Sequence, residues 1–305
     1  MHELAFSDRL AERVRLTRSA ICVGLDPRSA SLPHGLRPAV NSPPSEHAQA
    51  FEKFCHEVID VVADKVPVVK PQAAFFEQLG PAGMVALGNV IQHAVKANLL
   101  VILDGKRNDI GTTAEAYAEA YLGRGDASAW GSDALTVSPY LGEDSLQPFI
   151  HRCESQQAGI FVLVKTSNPG GGWLQDRITD HTTVYQHVAK LVQQENSARL
   201  GRSGYGPVGA VVGATYPAQL QELRELMPSA WILIPGFGAQ GGAAEDVRHG
   251  FDSTGLGAVV NSSRHIIFAH ARPEFVGKFH ESQWQQAVEA ATLEMNEQLN
   301  AVRAV

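Results

Sequence analysis

Eight short apolar runs, rich in β-branched residues and separated by stretches of helical spacing, constrain this chain more than any other feature. They are AICVGLD (20–26), VPVVKPQ (66–72), LLVILDGK (99–106), ALTVSPY (134–140), GIFVLVKTS (159–167), VGAVVGAT (208–215), WILIPGFG (231–238) and LGAVVNSSR (256–264). The runs are continuously apolar rather than alternating, the pattern of parallel strands covered on both faces. Helical spacing is predicted over 46–64, 81–97, 112–123, 144–155, 183–196, 217–227 and 243–249, with a last helix over about 282–302. This alternation predicts an α/β fold, a single (β/α)8 TIM barrel across residues 1–305. A doubly wound open sheet has the same alternation, so the strand ends must decide. Nearly every run finishes on a polar or glycine-bearing signature: Asp26, Lys70, Asp104 with Lys106, Ser138, Lys165 with Ser167, Thr215, Gln240 and Arg264. A barrel gathers such positions on one face, whereas an open sheet spreads them along an edge. The barrel is favoured.

Composition narrows the setting. A chain of 305 residues with 44% apolar content can bury a large core, and its net charge of −7 argues against nucleic acid as a partner. A local cationic cluster could still hold a small anion. Three widely spaced cysteines, Cys22, Cys55 and Cys153, read as buried free thiols of a reducing compartment. No run reaches the roughly 20 apolar residues that cross a bilayer, and the N-terminus lacks the apolar core of a signal peptide. The expected location is the cytoplasm, away from membranes. Two long loops remain: the Pro/Ser-rich 27–46, an insertion expected to cap or fringe the barrel, and 167–181, which carries three consecutive glycines and reads as a lid.

The chemistry concentrates in VILDGKRNDIG (101–111), where an apolar run stops at Asp104, Lys106, Arg107 and Asp109. On an extended backbone Asp104 and Lys106 point to one side, with Cα atoms about 6.6 Å apart. Opposite charges brought to ~4 Å attract by about 4 kcal/mol at an effective dielectric near 20, which suits a site kept ready to donate a proton. Surface ion pairs at a strand end would look the same. Lys70, ending another apolar strand where a hydrophobe is expected, favours a site.

These residues carry a resemblance. DGKRNDIGTTA resembles the DxKxxDI signature of the orotidine 5'-phosphate decarboxylase family, and VGLDPR, VKPQAAFFE, VKTSNPGG and PGFGAQGG resemble its other strand-end motifs, in the same order. The likeness runs from residue 20 to about 265 and is nearest the family's longer bacterial branch. It implies decarboxylation of orotidine 5'-monophosphate to uridine 5'-monophosphate in pyrimidine synthesis, with neither metal nor organic cofactor. It further implies that Lys106 protonates C6, that Asp104 lies near the departing carboxylate, and that Lys70 holds Asp104 and the ribose. Asp26 would meet a ribose hydroxyl and Ser167 the pyrimidine, with Pro235 lining the pyrimidine pocket. In a homodimer with shared sites, Asp109, Ile110 and Thr113 would come from the other subunit.

A phosphate handle is expected after the last two strands. PGFGAQGG (235–242) offers glycine backbone, Gly241 included, that can approach phosphate oxygens, and Arg264 adds a charge-assisted contact. By the resemblance, Gln240 lies on a loop that folds over the phosphate. Lys165 could form a Schiff base, but an ion pair is the favoured reading. The twelve histidines show no convincing metal spacing. Two other functions compete: a magnesium-dependent sugar-phosphate decarboxylase or epimerase sharing DxKxxD, and a non-catalytic barrel that binds nucleotide phosphate.

Overall fold

The computed structural model describes residues 4–238 and 243–303. Eight parallel strands close into a barrel: β1 (Ile21–Leu25), β2 (Val68–Pro71), β3 (Leu100–Arg107), β4 (Ala134–Val137), β5 (Gly159–Lys165), β6 (Val208–Val212), β7 (Ile232–Ile234) and β8 (Ala258–Ser262). Neighbours in sequence are neighbours in the sheet, and β1 pairs with β8 to complete the ring. All eight predicted strands are present, and the open-sheet alternative is excluded.

Period-two alternation sorts each strand into two cores. Val101 and Leu103 face the surrounding helices, while Leu100 and Ile102 join Val68, Phe161, Trp231 and Val259 inside the barrel. The interior layer also takes Phe6, Leu10, Ala11 and Val14 from a helix, Phe6–Thr17, that closes the end of the barrel at which the strands begin. Phe6 meets Phe161 edge to face at 6.0 Å and lies against Gly159, where a Cβ would sit 2.4 Å from its ring. This helix is not among those predicted from the sequence. Phe6, Leu10, Ala11 and Val14 have the i, i+4, i+5, i+8 spacing of one helix face, but what that face covers emerges only once the barrel has an open end.

The other helices largely follow prediction, including Pro44–Val62, Gly80–Lys96, Val184–Asn196 and the C-terminal Trp284–Asn300. The helix expected over 243–249 is shorter, Ala244–Val247 followed by a 3-10 turn. The 27–46 insertion fringes the wall. It forms two 3-10 turns, buries Leu32, stacks Arg28 over Phe75 and hydrogen-bonds Ser29 Oγ to His47 Nδ1 at 2.7 Å. The 167–181 loop folds into a 3-10 turn, a one-turn helix (Gly172–Gln175) and a hairpin pairing Ile178–Thr179 with Thr182–Thr183. Its Trp173 is exposed. All three cysteines are free and buried, and burial pushes the Cys22 thiol up to about 12. Among the described residues no helix is long and apolar enough to cross a membrane.

Candidate active site

The strands end around a cavity of about 490 Å³. Alternation delivers its charged floor. Asp104 continues the inward series Leu100, Ile102, and Lys70 continues inward from Val68 on the neighbouring strand. Asp104 Oδ2 accepts from Lys70 Nζ at 2.8 Å, and Oδ1 accepts from Lys106 Nζ at 2.6 Å. One carboxylate therefore bridges two ammonium groups.

Burial alone would raise the Asp104 pKa, yet attraction to Lys70 and then Lys106, with a hydrogen bond from each, outweighs it and holds the carboxyl well below the usual range. Burial likewise opposes the charge on Lys70, but Asp104 and then Asp26 override it and raise its pKa.

The approach of Lys106 differs from the expected extended pleat. The β3–β4 register shifts between Leu103 and Arg107, and Lys106 adopts φ +45°, a left-handed conformation uncommon for a non-glycine residue. Thr136 on β4 fixes the kink: its hydroxyl donates to Asp104 Oδ1 at 2.9 Å and accepts from the Lys106 backbone N–H at 2.9 Å. The distorted backbone places the charge where a regular strand would not, and such outliers gather at functional sites. Arg107 then turns outward, against Glu77 and the rings of Tyr117 and Tyr121. The four charges of 104–109 thus divide, with Asp104 and Lys106 in the cavity and Arg107 and Asp109 outside it.

Asp26, Ser167 and Pro235 also line the cavity. Asp26 Oδ1 is buried without a hydrogen-bond partner, as is Asn261 Oδ1 on the adjacent strand β8. Such orphaned acceptors suit a ligand with hydroxyl or N–H groups. Sequence reasoning passed over Thr136, Gln72, Thr166, Gln175 and Asn261, all of which line the cavity. Gln72 stood in the quoted VKPQ, but a neutral polar residue near a strand end gives no signal of direction.

Asp109, Ile110 and Thr113, which the resemblance assigns to a partner's site, and Arg264 do not line this cavity. Asp109 accepts from the Ile110 N–H at 2.9 Å, and Ile110 and Thr113 are exposed where the chain leaves β3 for the helix Gly111–Tyr121. Arg264 stands just past the strand end: β8 stops at Ser262, and the chain turns at once into the helix Arg264–Ile267, leaving its side chain exposed. Gln240 and Gly241 lie outside the described residues. Among those that are described, no group of three or more His, Cys, Asp or Glu is placed to hold a metal ion. Lys165 does not line the cavity and pairs with Asp176 instead, as favoured.

The chain is similar to known proteins over nearly its whole length. A family profile described as "Orotidine 5'-phosphate decarboxylase / HUMPS family" matches residues 19–278. An orotidine 5'-phosphate decarboxylase of Rhodopirellula baltica is 62% identical over 299 residues, spanning 97% of this chain and 99% of that protein. One from Caldicellulosiruptor bescii is 39% identical over 88% of this chain and 90% of its own length. The structure of Leishmania donovani OMP decarboxylase superposes with a TM-score of 0.76 at 34% identity, covering 98% of this chain and 99% of that one.

Proposed function

The chain belongs to the orotidine 5'-phosphate decarboxylase family, and from that premise we infer that Lys106 is the proton donor of its reaction. The reaction converts orotidine 5'-monophosphate to uridine 5'-monophosphate and carbon dioxide, a step of pyrimidine synthesis. When the bond from C6 to the carboxylate breaks, its electron pair stays on a carbon with no adjacent carbonyl to spread it. The Lys106 ammonium beside that carbon stabilises the pair and gives it a proton, and solvent reprotonates the amine. Asp104 sets its own negative charge against the substrate carboxylate, and departure of carbon dioxide relieves that repulsion. Lys70 keeps Asp104 in place and reaches the ribose. The single observation that carries this reading is the Asp104 carboxylate held between Lys70 Nζ and Lys106 Nζ.

Binding divides around that centre. Asp26 accepts from a ribose hydroxyl, Ser167 and Pro235 meet the pyrimidine, and Gln240, Gly241 and Arg264 grip the phosphate. Energy from the remote phosphate orients the reacting ring and drives closure, which strengthens every charge interaction near Lys106. The 56% exposure of Ile110, an apolar side chain beside exposed Thr113 and half-buried Asp109, supports a homodimer in which these three complete the partner's site. Mixing Lys106→Ala with Asp109→Ala protein tests this, since shared sites restore up to about a quarter of the activity when one competent site forms per mixed dimer. No recovery would assign each site to one chain. Three buried free thiols and the biosynthetic step support a cytoplasmic location.

Ultraviolet monitoring of orotidine 5'-monophosphate, with and without chelator, tests the function. Unchanged loss of the orotate chromophore is expected. Loss of activity with chelator would favour a magnesium-dependent sugar-phosphate enzyme, and no turnover at all would favour a phosphate-binding barrel.

A further inference from the structure

We propose that the ion pair between buried Lys165 and half-exposed Asp176 is a latch that positions the base-recognising wall of the cavity, making both of them positioning residues for the decarboxylation. The inference rests on reading the cavity as the nucleotide site. Lys165 is 1% exposed at the end of β5, and its ammonium contacts Asp176 and lies 4.6 Å from the Tyr216 ring centre and 5.4 Å from that of Tyr185. By alternation it should face inward after Phe161 and Leu163. Instead the β5–β6 register shifts between Leu163 and Lys165, and the side chain packs toward the helix Val184–Asn196. Burying the ammonium costs hydration that an apolar residue between two tyrosine rings would not lose. A buried charge is retained here because it selects one loop geometry.

That geometry concerns the cavity directly. Thr166 and Ser167, next after Lys165, line it, and so does Gln175, the residue before Asp176. Gln175 Oε1 accepts from the Thr166 N–H at 3.0 Å, and its Nε2 donates to Thr166 Oγ1 at 2.8 Å. The 166–176 loop is therefore closed at its neck twice, by Gln175–Thr166 on the cavity side and by Lys165–Asp176 behind it. Gly213 completes the clamp: its N–H donates to the Lys165 carbonyl at 2.8 Å, and a Cβ there would come 2.8 Å from Ser167 Cα. With the rear fastener released, Ser167 and Gln175 lose their fixed distance from the pyrimidine, while the phosphate side is untouched.

The test uses the full-length enzyme carrying Asp176→Asn, Lys165→Met or Asp176→Glu. Wild-type turnover of orotidine 5'-monophosphate, measured first, checks the reading of the site on its own. Displacing a positioning group should lower kcat/KM about tenfold in Asp176→Asn and Lys165→Met, with substantial recovery in Asp176→Glu. Inhibition by inorganic phosphate, which reports the opposite side, should stay within about twofold of wild type, because that ion carries no pyrimidine for the displaced wall to contact. Unchanged kcat/KM in variants that fold, or an equal loss of phosphate affinity, overturns the latch and leaves a merely structural ion pair. If Asp176→Asn does not fold, Gln175→Ala tests the cavity-side fastener with the same two readouts and the same overturning results.

Discussion

Lys70 and Lys165 are the same residue type at the ends of two strands of one sheet, both nearly sealed from solvent, and both paired with an aspartate. Their uses differ. Lys70 faces inward onto Asp104, whose second oxygen is occupied by Lys106, so its charge belongs to a network that lines the cavity. Lys165 is turned by a register shift toward helix and tyrosine, and its partner Asp176 is a half-exposed loop residue. A buried lysine paired with a carboxylate is thus no mark of catalysis by itself. What decides is the face of the strand and whether the carboxylate also borders the cavity.

The comparison breaks if the two clusters respond alike. Lys106→Ala should give the largest effect, a loss of at least about 10⁴ in kcat with the fold intact, since proton transfer and charge stabilisation disappear together. Circular dichroism and the ultraviolet assay check this, and substantial residual turnover would place the proton donor elsewhere. Lys70→Met should lower kcat by roughly 10³ and unfolding free energy by about 3 kcal/mol, because it leaves Asp104 buried with a single counter-charge. Lys165→Met leaves a carboxylate that water can reach, so its cost in a urea titration should stay near 1 kcal/mol. Equal destabilisation by the two would erase the distinction.

Smaller effects sharpen it. Arg264→Ala should raise KM for the nucleotide by about 10- to 100-fold, the worth of a charge-assisted phosphate contact, while sparing substrates that lack the phosphate. An equal effect on both would remove the assigned role. The pH dependence of stability offers the finest test. The depressed Asp104 pKa supplies stability above the unfolded value of about 3.9 that is lost as pH falls through the folded one. The raised Lys70 pKa supplies stability below about 10.4 that is lost as pH climbs through its folded value. Urea midpoints should therefore fall below about pH 4 more steeply in wild type than in Lys70→Met/Asp104→Asn. Parallel acid limbs would show that the pair contributes nothing to acid sensitivity.

Much of this molecule is legible in the chain itself. The apolar runs are continuous because parallel strands are buried on both faces, so they announce a helix-covered barrel, and alternation carries Asp104 inward from Leu100 and Ile102 without reference to any distant residue. Motif order from 20 to about 265 supplied the chemistry. Tertiary structure decided the rest. The kink at Lys106 depends on a hydroxyl from β4, the outward turn of Lys165 on pairing with β6, and the packing of Phe6–Thr17 on an open barrel end. Arg264, Asp109, Ile110 and Thr113 share one lesson: they stand where strand has given way to helix, and the period of two no longer says where a side chain points. Periodicity is a property of one segment, readable from its own residues. Register between strands is a property of two, fixed by hydrogen bonds that form only when the barrel closes.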